Sequence, residues 1–214
     1  MEIEMKAKIT LNQAKDLIEG KNLKGYKICR GGGWTPLYKS DDYYSFNGES
    51  LSSPTNIVRI RKESLIDDEF VFEDVVRGFA LPSSSGKTFL TIKRKNTAPD
   101  GTETNEEYED CFEGSSPEGL LQLLGVVNFK PYFHKVKTSA SFYVEREKDG
   151  KEMHCEIVNV NRIGPYLEIE IVEDDESKIA DAKSLIKDFF KKVLGITTFD
   201  ARSWKTIIKE DSEQ

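Results

Sequence analysis

Cysteine is scarce and poorly spaced for a framework. The 214 residues include three, Cys29, Cys111 and Cys155. Their number is odd and none forms a CxxC pair, which argues against a disulfide scaffold or a zinc–cysteine site and predicts a reducing, cytoplasmic setting. Histidine is scarcer still. His134 and His154 fall on different predicted strands and read as packed or solvated side chains. No apolar run approaches the ~20 residues of a membrane span. Met1-Glu2-Ile3-Glu4 offers neither the basic nor the apolar stretch of a secretory leader. Positive charge is in deficit: 38 Asp and Glu oppose 31 Lys and Arg, a net charge of -7. A surface of that sign disfavours general binding to nucleic acid or anionic membrane, where affinity rests on neutralising phosphates. Hydrophobic residues reach only 37% against 32% charged, yet aromatics at 10% are too many for a disordered chain. A core can form, and the excess charge must sit somewhere.

What the chain has in quantity is period-two alternation, the signature of strands. The segments are Glu2–Ile9, Ile57–Arg61, Phe89–Lys95, Glu106–Phe112, Pro131–Lys137, Ser141–Glu147, Met153–Val160 and Tyr166–Glu173, with Val71–Val76 as a further candidate. Short turns between several of them predict antiparallel neighbours. Helices are fewer. Thr10-Leu11-Asn12-Gln13 is a capping box for a helix ending near Gly20. Ser116-Pro117 opens a short one closed by Gly125. Asp175–Leu194 carries apolar residues at helical spacing before a stop at Gly195, and a last helix presents Trp204, Ile207 and Ile208. Residues 31–41 and 62–87 read as long loops. With no repeat or linker, residues 1–208 form one domain and 209–214 a frayed polar tail.

Residues i and i+2 of a strand share a face. Read so, the charges fall in same-sign sets: Glu2 and Glu4 with Lys6 next, Arg59 and Arg61, Lys93 and Lys95, Glu107 and Glu109, Lys135 and Lys137, Glu156, and Glu168 with Glu170. Solvent-facing strands normally mix signs, because like charges in proximity repel. The opposite faces are apolar and need cover, which helices can give. The fold class that satisfies both is α+β, mainly antiparallel β: a closed barrel with helices outside and a charged lumen. Clustered carboxylates suit a hard divalent cation, Mg²⁺ or Mn²⁺. Clustered Lys and Arg suit phosphates. Together they describe a site for a metal-bound polyphosphate.

The ordered motifs resemble the CYTH domain superfamily, the triphosphate tunnel metalloenzymes. Glu2-Ile3-Glu4-Met5-Lys6 matches its ExExK signature. Asp42-Tyr43-Tyr44, Val58–Arg61, Phe89–Lys93, Glu106–Glu109, Arg162–Glu170, and Leu194-Gly195-Ile196 with Arg202-Ser203-Trp204 are similar to later motifs of the class IV adenylyl cyclase branch, and thiamine triphosphatases belong to the same superfamily. The resemblance implies an eight-stranded antiparallel tunnel acting on triphosphates with Mg²⁺ or Mn²⁺. It implies Glu2, Glu4, Glu168 and Glu170 as metal ligands, with Glu107, Glu109 and Glu156 supporting them. It implies Lys6, Arg59, Arg61, Lys93, Lys135 and Lys137 as a phosphate clamp, to which the strand reading adds Lys95. Glu2, Glu4, Lys6, Glu107 and Glu109 are the expected catalytic set. Departures from the family pattern are Asn105 in place of Arg, Lys135-Val136-Lys137 where an Arg is common, Glu156 for Asp and Trp204 for Tyr.

The expected activity is hydrolysis of a small-molecule triphosphate: tripolyphosphate, a nucleoside triphosphate or thiamine triphosphate. The alternatives are a cyclase that converts ATP to cyclic AMP and pyrophosphate, and a non-catalytic sensor of polyphosphate or nucleotide. Hydrolysis is preferred because charge specifies the phosphate chain while no adenine pocket can be named. An RNA 5′-triphosphate end is the one nucleic-acid partner the chemistry allows, and exposed helices are compatible with a homodimer. Ser83-Ser84-Ser85-Gly86-Lys87-Thr88 resembles the end of a P-loop but precedes a strand rather than the helix that mechanism needs.

Overall fold

The alternating segments pair edge to edge until the sheet meets itself. In the computed structural model, which describes residues 1–49, 56–113 and 118–213, the strands are β1 (Glu2–Lys8), β2 (Tyr26–Cys29), β3 (Thr35–Phe46), β4 (Asn56–Ile66), β5 (Pro82–Thr97), β6 (Glu103–Glu113), β7 (Phe129–Arg146), β8 (Lys151–Val160) and β9 (Ile163–Val172). The barrel runs β7-β3-β4-β5-β6-β1-β9-β8, and β8 pairs back onto β7. Eight antiparallel strands close, while β2 adds to the far end of β7, with Tyr26 opposite Arg146.

Closure puts one face of every strand inside. The register places Lys6 opposite Glu168 and Glu4 opposite Glu170. Arg61 stands opposite Asp41, and Lys93 opposite Glu107. The alternate residues Ile3, Met5, Leu167 and Ile169 point outward and are fully buried beneath α1 (Leu11–Ile18) and α4 (Ile179–Phe189), against Ala14, Leu17, Ile186 and Phe189. Burying side chains of this kind stabilises by roughly 1.5–3 kcal/mol each. This cover is one-sided. On β5 and β6 the outer residues Ile92 and Tyr108 stay 46% and 70% exposed.

The predicted capping box forms: Thr10 Oγ1 accepts the Gln13 N–H at 3.2 Å and Gln13 Oε1 accepts the Thr10 N–H at 2.8 Å. Val71–Val76, expected as a strand, is instead α2 (Phe72–Arg77). Asp74 accepts the Val71 N–H, and Gly78 ends the helix in the left-handed region at φ 76°. The adjacent valines Val75 and Val76 are both fully buried. Their carbonyls accept from Thr138 Oγ1 and Asn159 Nδ2 of the barrel. The expected loops 31–41 and 62–87 contain the ends of β3, β4 and β5 as well as α2, and keep residues 31–34, 67–71 and 78–81 as connections. They alternate weakly because barrel rims are wet on both faces, and Ser83–Thr88 is strand, not a phosphate loop. The separate segments Pro131–Lys137 and Ser141–Glu147 are one 18-residue strand, β7.

The expected cap at Ser116-Pro117 lies outside the described residues, and α3 spans Glu118–Val126. The predicted long helix is a 3₁₀ turn (Glu176–Lys178), α4 and a π turn (Phe190–Leu194), closed by Gly195 at φ 71°. The last helix, α5 (Trp204–Ser212), is capped by Ser203 and carries the polar segment through Ser212 in helical form. Among the described residues no helix is long and apolar enough to cross a membrane.

Candidate active site in the barrel lumen

All the charged residues singled out from the sequence face one cavity of about 750 Å³: Glu2, Glu4 and Lys6; Arg59 and Arg61; Lys93 and Lys95; Glu107 and Glu109; Lys135 and Lys137; Glu156; Glu168 and Glu170. Strand order sorts them. The carboxylates of β6, β1, β9 and β8 form one continuous wall. The cations of β7, β3, β4 and β5 form the other. Lys6 is an exception on the acidic wall and Asp41 on the basic one.

Ion pairs stitch the walls together. Lys137 Nζ donates to Glu156 at 2.6 Å and Glu168 at 2.9 Å. Despite burial, Lys137 and Lys135 hold the Glu168 carboxyl down to about 2. Burial also opposes the charge of Glu156, yet Lys137 and Lys39 keep its carboxyl well below the ordinary range. Lys93 bonds Glu2 at 2.8 Å and Glu107, and its ammonium is held above its ordinary range by Glu4, Glu2 and Glu107 against the burial penalty. Lys95 donates to Glu103 at 2.6 Å, and Lys6 approaches the same carboxylate at 3.4 Å. Arg59 donates to Thr91 at 2.9 Å and reaches Glu109 at 3.4 Å, while its Nε is buried without a partner among the described residues.

Glu4 differs from its neighbours. Among the described residues the one cation within ion-pair distance is Lys93, at 4.0 Å. Burial first, then the charges of Glu103 and Glu168, push its carboxyl up to about 8. A buried carboxylate short of positive charge, beside Glu2, Glu168 and Glu170, is what a hard divalent cation would neutralise. These residues therefore fit a metal. Their oxygens are spread: the only described His, Cys, Asp and Glu ligand atoms within 4.8 Å of one another in a group of three belong to Cys29, Glu145 and Glu152 outside the clamp, where Arg30 and Lys27 already pair the two carboxylates.

Several site residues escaped the sequence reading. Lys39 is buried on β3 and donates to Glu156 at 2.5 Å, and burial lowers its pKa despite that partner. Asp41, fully buried, holds Arg61 through two bonds of 2.7 and 3.0 Å. The alternation Lys39-Ser40-Asp41-Asp42-Tyr43 was the available signal, obscured by its turn-like Ser and Asp. Glu103 lies just before the expected start of β6. His154, read as packed or solvated, bridges Ser141 Oγ at 2.8 Å and Glu170 at 3.1 Å inside the site. His134 is outside it, beside Asp42. Asn105, which stands in place of Arg, donates to Glu2 at 3.0 Å. Trp204, in place of Tyr, donates from Nε1 to Glu168 at 2.7 Å.

Comparison with known proteins agrees with this fold. The family model of the CYTH domain matches residues 1–203. The chain belongs to the CYTH family. No curated protein matches it. Among solved CYTH-like folds it is similar to the PH1819 protein of Pyrococcus horikoshii OT3, at 19% identity and a TM-score of 0.71 over 99% of each chain. It is also similar to a candidate adenylate cyclase from Vibrio parahaemolyticus, at 12% identity and a TM-score of 0.63 over 97% of each. A third similar structure is HpAC1 from Hippeastrum, for which a dominant triphosphatase activity is described, at 16% identity and a TM-score of 0.56 over 99% of this chain and 96% of that one. At these identities the likeness is one of fold. The ExExK strand β1 lies inside the acidic wall, with β6 on one side and β9 on the other.

Proposed function

We propose that this CYTH protein hydrolyses a small-molecule triphosphate with Mg²⁺ or Mn²⁺ in its lumen. The observation that carries the reading is the acidic wall facing the basic wall across one cavity. A bare polyanion would be repelled by the first, and a bare cation by the second. A metal-bound triphosphate complements both.

The residues divide the work. Arg59, Arg61, Lys135 and Lys137 bind the phosphate oxygens, with Lys6, Lys93 and Lys95 at the boundary of the walls. Asp41 fixes the Arg61 fork, so the guanidinium is aimed before substrate arrives. Arg59 Nε is a buried donor with no partner among the described residues, which a phosphate oxygen would satisfy. Glu2, Glu4, Glu168 and Glu170 would hold the metal, with Glu109 and Glu156 in support. When bound, the metal supplies positive charge to the phosphate oxygens. Glu107 and Glu109 orient a water molecule toward the terminal phosphorus. The water oxygen forms the new P–O bond, the anhydride P–O bond breaks with its electron pair staying on the bridging oxygen of the departing phosphate chain, and the water proton passes to a carboxylate. The chain's contribution is positioning and charge stabilisation rather than covalent chemistry.

Product analysis tests the reading. The protein is incubated separately with ATP, tripolyphosphate and thiamine triphosphate, each with Mg²⁺ or Mn²⁺, and followed by ³¹P NMR. Orthophosphate release is expected. Pyrophosphate and cyclic AMP from ATP would establish the cyclase instead, and tight binding without turnover would establish a sensor.

A further inference from the structure

Strand β6 is paired on both sides for only part of its length. β5 follows it from Glu103 to Glu113, but β1, which begins at Glu2, pairs only Glu103, Thr104 and Asn105. Among the described residues no other strand takes up the rest of that edge. Burial changes at the same point. Glu103 and Asn105 are buried, whereas every residue from Glu106 to Cys111 is exposed, on both faces of the sheet.

The ladder fixes which backbone groups are left over. At the β5–β6 turn the Ala98 N–H donates to the Thr102 carbonyl at 2.8 Å, and the register continues with Asn96 opposite Thr104, Arg94 opposite Glu106 and Ile92 opposite Tyr108. In an antiparallel ladder, hydrogen-bonded pairs alternate with non-bonded ones. The even-numbered residues of β6 therefore bond β5, and the odd-numbered ones turn their N–H and C=O away from it. Glu103 and Asn105 meet β1 in this way. Glu107, Glu109 and Cys111 meet no strand among the described residues. The Cys111 N–H takes the Asp110 side chain as its acceptor at 3.0 Å, a local substitute for a strand carbonyl.

A row of unpaired N–H and C=O groups is a template for another strand. Charge selects which strand. No Lys, Arg or His occurs between Lys95 and Lys130, a stretch that holds eight Asp and Glu. Arg59, Lys93 and Arg94 offset three of these acids, Glu109, Glu107 and Glu106, from the β4–β5 side only. A second copy of the edge matches it poorly. Antiparallel pairing of β6 with itself about Tyr108 sets Glu107 opposite Glu109 and Glu106 opposite Asp110, and like charges directly opposite destabilise a sheet.

We propose that the Glu107–Cys111 edge of β6 docks an extended protein segment with Lys or Arg at alternate positions, which adds a strand to the sheet. Backbone bonds to Glu107, Glu109 and Cys111 set its register, and its cations meet Glu106 and Asp110 on the outer face. Tyr108, 70% exposed between those two acids, offers its ring to the same cations. The surface lies outside the lumen, and the proposal is independent of the triphosphate reading.

A fluorescein-labelled peptide of sequence Thr-Lys-Val-Lys-Val-Lys-Thr tests it. The peptide is titrated into the protein by fluorescence anisotropy, and backbone amide exchange is followed by NMR. Saturating peptide should slow exchange at Glu107, Glu109 and Cys111 by about tenfold or more. Peptides with Glu for every Lys, or Pro for every Val, should bind about tenfold weaker or less. Cys111→Pro removes an edge N–H that β5 does not use, and Asp110→Lys reverses an outer charge. Each should weaken binding about fivefold, with thermal melts confirming that both variants fold. Equal binding of the Pro peptide, or binding without slowed exchange at those three amides, overturns strand addition. Equal binding of the Glu peptide overturns the basic partner. Three slow amides before any peptide is added, with twice the mass of one chain by light scattering, overturn it in favour of a second copy. Absence of binding at millimolar peptide overturns the proposal outright.

Discussion

Lys93 Nζ stands 2.8 Å from Glu2 but 4.0 Å from Glu4. One lysine is thus shared unequally, and Glu4 is left among carboxylates with its pKa raised to about 8 from an ordinary value near 4.5. An acid with a raised folded-state pKa keeps its proton when the unfolded chain has lost it. Without metal, stability should therefore fall as pH rises from about 4.5 to 8, by at most about 1.4 kcal/mol per pH unit. Saturating Mg²⁺ should remove that slope, because the ion displaces the proton. Glu4→Gln should remove it in the absence of metal. Thermal melts across pH 5–8, with and without Mg²⁺, check both statements.

Lys137 carries two acids, Glu156 and Glu168, and all three are nearly buried. Lys137→Met should leave Glu168 without its ion-pair partner and Glu156 with Lys39 alone, and should lower stability by about 3–5 kcal/mol, measured by urea unfolding. It should also raise KM for any triphosphate. Loss of affinity without loss of stability would mean that Lys137 belongs to the clamp alone.

The bond between Asp41 and Arg61 separates geometry from charge. Arg61→Lys keeps the charge and loses the fork, so KM for tripolyphosphate should rise roughly tenfold or more with little change in stability. Asp41→Asn keeps the shape and leaves the guanidinium buried without its counter-ion, so unfolding free energy should fall by about 3 kcal/mol. Steady-state kinetics and denaturant titrations on the two variants check the division.

Much of this was legible because a barrel enforces period two. Glu2 and Glu4 could be placed on one face from spacing alone, and their apolar alternates Ile3 and Met5 on the other. Lys39 and Asp41 were not legible, because Ser40 and Asp42 on either side of Asp41 are turn formers and only pairing with β4 and β7 makes the segment a strand. Val71–Val76 misled for the opposite reason. Its apolar and branched residues suit a strand, but Asp74 and Gly78 cap it as a helix on the barrel wall. The role of His154 depends on Ser141 and Glu170, which only the β7-β8-β9 register brings beside it.

His154 should act through Glu170. Its ring is fixed by Ser141 on one nitrogen and meets Glu170 with the other. Loss of such a supporting partner commonly costs 10- to 100-fold in metal affinity. His154→Ala should weaken Mn²⁺ binding by that order, and His154→Gln should recover part of it, as measured by calorimetry on the protein without substrate. Unchanged Mn²⁺ affinity in His154→Ala would remove His154 from the metal site.

Tripolyphosphate hydrolysis by the wild type and Glu4→Gln, compared across a Mg²⁺ and a Mn²⁺ titration, tests the central claim most directly. The account predicts a wild-type rate that rises saturably from near zero with added metal. It predicts at least a hundredfold lower rate for Glu4→Gln at every concentration. Wild-type turnover that ignores the metal, or a Glu4→Gln rate equal to the wild type, would contradict it.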